Sequence, residues 1–389
     1  MPSHALRGLT RSLVAVAGAL TLVLATAPAS AVTEPAGLAT AARVPTGFRA
    51  TSITWLDPHE GWVLGAAPCG QSMCSGVLHT TDGGNHWRHI GGLNARIAQI
   101  GEAKQPGVTE IRFADDSLGW AFAPELVRTR DGGHTWSRAA IPGNGKQVFD
   151  LAADPQVIVA VVSPCAWANF CDRPLSLWRA RPQHPGRWHR VDVTLPPGVR
   201  ADVSVYGATV YVVDPQQDML SGGRDRFYVS TDGGRHFARR AAPCEQQPGV
   251  PMVQTAPTSG TDVAVLCVGN PHMSDSLKYV YRSHDAGRTF HYAGTMPVHG
   301  YQSQLAASPR GHLAVASTSD GSFIYINLHG DTHWRMVWAS SDGGAGWNDI
   351  TYVTDRTGWV VRGPLSWFGG RGKLYVTHDA GHSWYIVHW

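Results

Sequence analysis

The sequence predicts an all-β protein, a seven-bladed β-propeller whose blades are four-stranded antiparallel sheets. Three observations carry that prediction. An eight-residue string recurs along the chain, and the aromatic residue that closes it returns about every 50 residues. Between these strings the chain is cut into short alternating or β-branched runs bounded by turn residues. Composition agrees, because 43% hydrophobic residues with 44 Gly and 15 Trp describe a globular, turn-rich chain and not a disordered one.

The recurring string is clearest at Thr129-Arg130-Asp131-Gly132-Gly133-His134-Thr135-Trp136, with near-copies at Thr80–Trp87, Ser230–Phe237, Ser283–Phe290 and Thr377–Trp384. Its grammar is Ser/Thr, any residue, Asp, Gly or Ala, Gly, two variable residues, then Trp or Phe. An Asp followed by glycine signals a tight turn: the carboxylate accepts N–H bonds within the turn, and glycine takes positive φ without strain. The leading hydroxyl can join the same network, and the closing aromatic supplies apolar area that pins the turn to a core. The octamer is therefore a hairpin corner whose aspartate is engaged with backbone.

This string resembles the Asp-box, or BNR repeat, of sialidases, sortilin-type receptors and a photosystem II assembly factor family. The resemblance implies that Asp82, Asp131, Asp232, Asp285 and Asp379 are structural, capping the hairpin between the third and fourth strands of each blade, away from any active site.

The aromatics give a ruler. Trp87 to Trp136 is 49 residues, and Trp136 to Phe237 is 101, about two units. A degenerate copy at Arg179–Trp188 fills that gap, and Phe237 to Phe290 is 53. Beyond Phe290, Trp334 keeps the rhythm with steps of 44 and 50 to Trp384, which leaves Ser340–Trp347 as a fortuitous match on the connection into the last blade. Seven blades result; six would follow if Arg179–Trp188 does not mark a blade. Within each unit a first strand such as Thr51–Leu56, Glu110–Ala114 or Asp349–Val353 precedes a short turn. A second strand follows, opened by Gly61-Trp62, Gly119-Trp120 or Gly358-Trp359, or written as Val157–Val162, Val210–Val213, Val263–Cys267 or Leu313–Ser317.

Met1–Ala31 reads as a secretory signal peptide: Arg7 and Arg11 form a positive n-region, Leu13–Ala25 is an uncharged apolar run, and Ala29-Ser30-Ala31 is a cleavage site. Cleavage after Ala31 predicts a secreted, extracellular product, with a leader at 32–45 and one propeller domain at 46–389. Losing that segment removes two arginines and no acid, leaving 30 basic against 29 acidic residues. Such a near-neutral chain lacks the electrostatic footprint of a nucleic-acid or anionic-membrane partner, and no membrane anchor is expected. We expect a monomer.

Six cysteines fall in three local pairs, Cys69/Cys74, Cys165/Cys171 and Cys244/Cys267. In an exported chain this arithmetic favours three disulfides between neighbours. No C-x-x-C or H-E-x-x-H spacing marks a metal site, no cofactor motif is present, and six histidines in or beside the octamers (His86, His134, His236, His284, His378, His382) read as solvated turn residues.

The octamers mark one rim. The opposite rim collects the loops between second and third strands, the links between blades and the expected disulfides. Loops on a rigid scaffold are where binding sites gather. Trp167, Phe170, Arg224, Trp367, Phe368 and Arg371 lie in these loops and are the candidate contacts for a protein or carbohydrate ligand. The alternative is a glycoside hydrolase, sialidase-like or xyloglucanase-like, acting in the central funnel. The sialidase resemblance would imply an arginine triad and an F-R-I-P-like string, but the nearest string is Phe48-Arg49-Ala50-Thr51, and no triad stands out. Of six glutamates, only Glu110 suggests a catalytic partner, Asp150, on the first strand of the next blade. The sequence thus favours a binding protein without catalytic residues.

Overall fold

A computed structural model describes residues 43–98, 107–143, 147–165, 173–197, 201–214, 226–246, 252–330, 332–341, 346–363 and 372–389, without the side chains of 245 and 246. The chain divides into a unit from Glu34 to Trp389 and an N-terminal unit, Met1–Thr33, outside the described residues. The larger unit is a seven-bladed β-propeller of antiparallel sheets.

The first strands, Arg49–Trp55, Glu110–Phe113, Gln147–Ala153, Asp202–Tyr206, Met252–Pro257, Gln302–Ala307 and Trp347–Tyr352, surround the axis. The second strands are the most apolar. Ile158–Ser163, Thr209–Asp214, Val263–Val268 and Leu313–Thr318 are buried along their whole length. Each is covered on both faces by neighbouring blades, which is why these strands read as continuous hydrophobic runs. Blade three carries one strand more than expected: Leu195–Pro197 pairs with its third strand, Pro174–Arg181.

The octamers do what their grammar requires. In blade two the Thr129 hydroxyl donates to Asp131 (2.8 Å) and accepts the Gly133 N–H (2.9 Å), while Asp131 accepts the Thr135 N–H (2.9 Å). The same three bonds recur around Asp82, Asp232 and Asp379, and around Asp285. The two residues after each aspartate take positive φ, including Ala286 (57°) and Ala380 (63°) where glycine is replaced. The closing aromatics Trp87, Trp136, Phe237, Phe290 and Trp384 stand immediately before their fourth strands, as does Trp334. Ser340–Trp347 joins the end of blade six to the first strand of blade seven, so Trp334 is the sixth rung.

Among the described residues every blade is built from consecutive strands. Side chains do much of the closing of the ring. Trp359 of blade seven stacks on Trp55 of blade one (4.9 Å between ring centroids), Trp87 meets both edge-on, and Trp389 reaches Trp87 and Phe48. A backbone bond from Ala50 N–H to Gly372 C=O (2.9 Å) joins the two blades beside this cluster.

Candidate functional site

The axial channel encloses about 590 Å³ and is lined by the first strands of blades two to seven. Seven polar residues share one register of the first strands, one per blade, and all but the buried Ser52 line the channel: Ser52, Glu110, Asp150, Asp202, Gln254, Gln304 and Asp349. Each lies three residues from the end of its strand, four in blade four. Five of them accept an N–H from the next blade. Asp349 accepts Ile53 N–H (3.2 Å), Ser52 accepts Ile111 (3.2 Å), Asp150 accepts Val203 (2.8 Å), Asp202 accepts Thr255 (3.0 Å) and Gln254 accepts Leu305 (2.8 Å). The ring is a set of stitches between blades, holding N–H groups that the sheets leave unpaired.

Arg112, two residues further along the blade-two strand, ties three blades together. Its Nη2 donates to Glu110 (3.1 Å), and its Nη1 donates to Asp349 (3.1 Å) and Ser52 (3.2 Å). Burial opposes its charge, but Asp349 and Glu110 outweigh that and hold its pKa above the ordinary arginine value. One guanidinium cannot answer four carboxyl groups. Burial pushes Glu110 up to about 8 despite Arg112, with Asp150 and Asp349 adding like charge. Burial and then Asp202 raise Asp150 to about 7; burial raises Asp202 to about 6 against its bonds from Thr255. The Glu110 side chain is walled by protein yet keeps 33% of its surface accessible to channel water. Water at that exposed third screens the charge and weakens what the burial costs.

The sequence brought out Glu110 and Asp150, and the structure places both in this ring. It missed Ser52, Asp202, Gln254, Gln304 and Asp349. The available signal was one polar residue per first strand, returning about every 50 residues.

On the loop rim, Trp167, Phe170, Arg224, Trp367, Phe368 and Arg371 lie outside the described residues. Two disulfides are in place: Cys69–Cys74 across the loop between second and third strands of blade one, and Cys244–Cys267 from a blade link to a second strand. Cys165 is also disulfide-bonded, and its expected partner Cys171 lies outside the described residues.

The same rim carries a feature the sequence did not bring out. Lys278 is fully buried, and its ammonium donates to the carbonyls of Ser276 (2.8 Å) and Val298 (2.8 Å). Burial lowers its pKa to about 8, with Asp275 opposing. The amine clips together the 269–277 loop and the link to blade six. On that clip the loop displays Met273, 92% exposed at φ 61°, with Leu277 and Val298 also exposed. Non-glycine residues rarely hold positive φ unless the surroundings enforce it.

Among the described residues no group of three or more His, Cys, Asp or Glu side chains has metal-binding geometry, and no helix is long and apolar enough to cross a membrane. Glu60 pairs with His79 at 3.0 Å on the octamer rim.

No protein-family model matches the chain, and no curated protein matches its sequence. Solved structures do match its fold. "YCF48 bound to D1 peptide" is similar at 13% identity and TM-score 0.50, over 88% of this chain and 99% of that one. Sqt1 of Saccharomyces cerevisiae is similar at 11% identity and TM-score 0.52, over 90% and 88%. A GH74 xyloglucanase from Xanthomonas campestris aligns at 12% identity over 87% of this chain and 72% of that one, with a TM-score of 0.36. The likenesses to the YCF48 and Sqt1 structures agree with the β-propeller fold.

Proposed function

We propose that the protein is an exported binding module that holds a protein ligand on its loop rim. The observation that carries this reading is the Lys278-clipped loop. A buried amine is invested in fixing a segment whose tip, Met273 with Leu277, faces solvent instead of the core. Apolar side chains on a rigid, exposed loop are what a protein partner can bury. The disulfides at the same rim limit the freedom of neighbouring loops, which lowers the entropy lost on binding. The octamers belong to this reading as Asp-boxes of the BNR kind: their carboxylates are engaged by turn donors and stabilise the opposite rim. Met1–Ala31 serves as the signal peptide, and the disulfides suit the oxidising compartment it leads to. The structure similar in fold to this chain that is described with a D1 peptide bound is YCF48; at 13% identity it supports the fold, and the ligand reading stands on the loop rim.

The test is capture of cell-surface proteins from the source on the immobilised protein, compared with a Met273→Ser/Leu277→Ser variant and with Asp131→Ala. The reading expects a partner retained by wild type and Asp131→Ala and lost by the loop variant. Equal capture by all three would overturn it.

A second reading has one observation behind it. The carboxyl oxygens of Glu110 and Asp349 both lie 3.1 Å from nitrogens of the Arg112 guanidinium. That puts them within roughly 9 Å of each other, the span two glycosidase carboxylates use. Glu110, raised by burial, would be the acid. Against this, a single oxygen of Asp349 already receives Ser52, Ile53 and Arg112, so it serves as a stitch. Hydrolysis of a polysaccharide panel by wild type, abolished in Glu110→Gln, would establish the hydrolase; inactivity across the panel removes it.

A further inference from the structure

On the octamer rim, the seam between blades five and six encloses about 250 Å³, bordered by Ser259, Asp262, Arg282, His284, Arg310 and Gly311. Arg282 stands directly before the octamer Ser283–Phe290. Its Nε and Nη2 are closed off from solvent and meet no acceptor among the described residues. The third nitrogen, Nη1, reaches toward blade six, where a Cβ added at Gly311 would come within 2.9 Å of it. Gly311 also takes φ 85°, a backbone conformation that favours glycine there.

The other charges around the cavity have partners. His284 Nδ1 lies 2.5 Å from Asp262, which also receives the Ser259 and Thr261 hydroxyls; Arg310 Nε lies 3.1 Å from Asp355. Arg282 has no carboxylate within ion-pair distance among the described residues, and burial alone lowers its pKa. Contrast Arg112, which two carboxylates answer. A guanidinium with two nitrogens shut away and no counter-charge is costly, and Arg282 borders the cavity with Nη1 directed toward Gly311, another of its lining residues. Arginine is the side chain suited to that task, since its fixed donors match planar and tetrahedral oxyanions.

We propose that this cavity is a binding site for a small oxyanion, a phosphate, sulfate or carboxylate, held by Nη1 of Arg282. The site is separate from the loop rim and does not depend on the ligand read there.

The experiment measures the melting temperature of the full chain against phosphate, sulfate and acetate, at ionic strength held constant with chloride. Wild type should show a saturable rise with at least one of them, since a ligand that binds only the folded state stabilises it in proportion to occupancy. The anion giving the larger rise distinguishes a phosphate-type from a carboxylate-type ligand. Arg282→Met should abolish the rise, and Arg130→Met, which removes the same charge from an exposed position, should retain it. No saturable rise in wild type, or an equal rise in Arg282→Met, overturns the proposal. Should Arg282→Met fail to fold, wild-type crystals soaked in selenate decide it: an anomalous peak within hydrogen-bond reach of Nη1 supports the site, and peaks only elsewhere overturn it.

Discussion

Glu110→Gln isolates the electrostatic burden of the axial channel. A carboxyl whose folded-state pKa lies above its unfolded value binds more protons in the fold. Its contribution is therefore best below the unfolded value and declines as pH rises through the folded one. For Glu110 that window runs from its ordinary 4.5 to about 8, for Asp150 from 3.8 to about 7 and for Asp202 from 3.8 to about 6. In a sealed site the Glu110 shift would correspond to about 5 kcal/mol, at about 1.4 kcal/mol per pKa unit. A third of the Glu110 side chain is accessible, so solvent screening reduces this to about 1–2 kcal/mol at pH 8.

The wild-type profile alone cannot test this, because His79 and His89 pull the other way. Burial lowers both, so they bind fewer protons in the fold, and their contribution improves as pH rises through their ordinary 6.5. The difference between variant and wild type removes these terms. Scanning calorimetry at pH 5, 6, 7 and 8 should find Glu110→Gln close to wild type at pH 5, where Glu110 is already protonated. At pH 8 it should be more stable by that 1–2 kcal/mol, on the order of 1–4 °C in melting temperature for a domain this large. A difference that is flat with pH, or that turns negative at pH 8, would refute the reasoning and show that Arg112 fully compensates the glutamate.

Three further outcomes are expected. Asp131→Ala leaves the Thr135 N–H and two hydroxyls without their acceptor, and should lower stability by about 1–3 kcal/mol in chemical denaturation while leaving ligand binding intact. Trp359→Ala empties the closure seam, where the indole is 2% exposed, stacks on Trp55 and packs against Gly84; a loss of about 3–5 kcal/mol in urea unfolding is expected. Removing Cys244–Cys267, which spans 23 residues, should cost about 3 kcal/mol against about 2 for Cys69–Cys74, which spans 5, measured by thermal unfolding of the paired alanine variants.

The architecture was legible because its signals are local. Each octamer packs a hydroxyl, a carboxylate and two positive-φ residues into one turn, so five turns announce themselves without tertiary information. Where the octamer decayed, spacing served: Trp334 could be preferred to Trp347 because the rung had to fall near 50 residues from its neighbours. The channel was only half legible. Asp349 and Arg112 are 237 residues apart and meet because blade seven closes on blade one. Asp202 and Gln254 sit in strands whose other residues look like ordinary core, and their role as acceptors for the next blade follows from ring geometry that no single unit encodes. Lys278 reads as a surface charge in Leu277-Lys278-Tyr279; only the packed carbonyls of Ser276 and Val298 make it a clip.

These features divide the molecule along its axis. On one rim the octamer aspartates take their donors from within their own turn, so a change in one of them stays in one hairpin. At the channel, stability is shared: Asp349 draws on blades one and two at once, and losing it would disturb the seam that also depends on Trp359. On the loop rim the staples act within single loops, as Cys69–Cys74 does, or between a link and one strand, as Cys244–Cys267 and Lys278 do. Loop side chains there can change with little effect on the ring that carries them. A scaffold with cooperative stability at its axis and independent loops at one rim suits a binder whose specificity is set by those loops. It suits less well an enzyme that would need the axial carboxylates free from their work between blades.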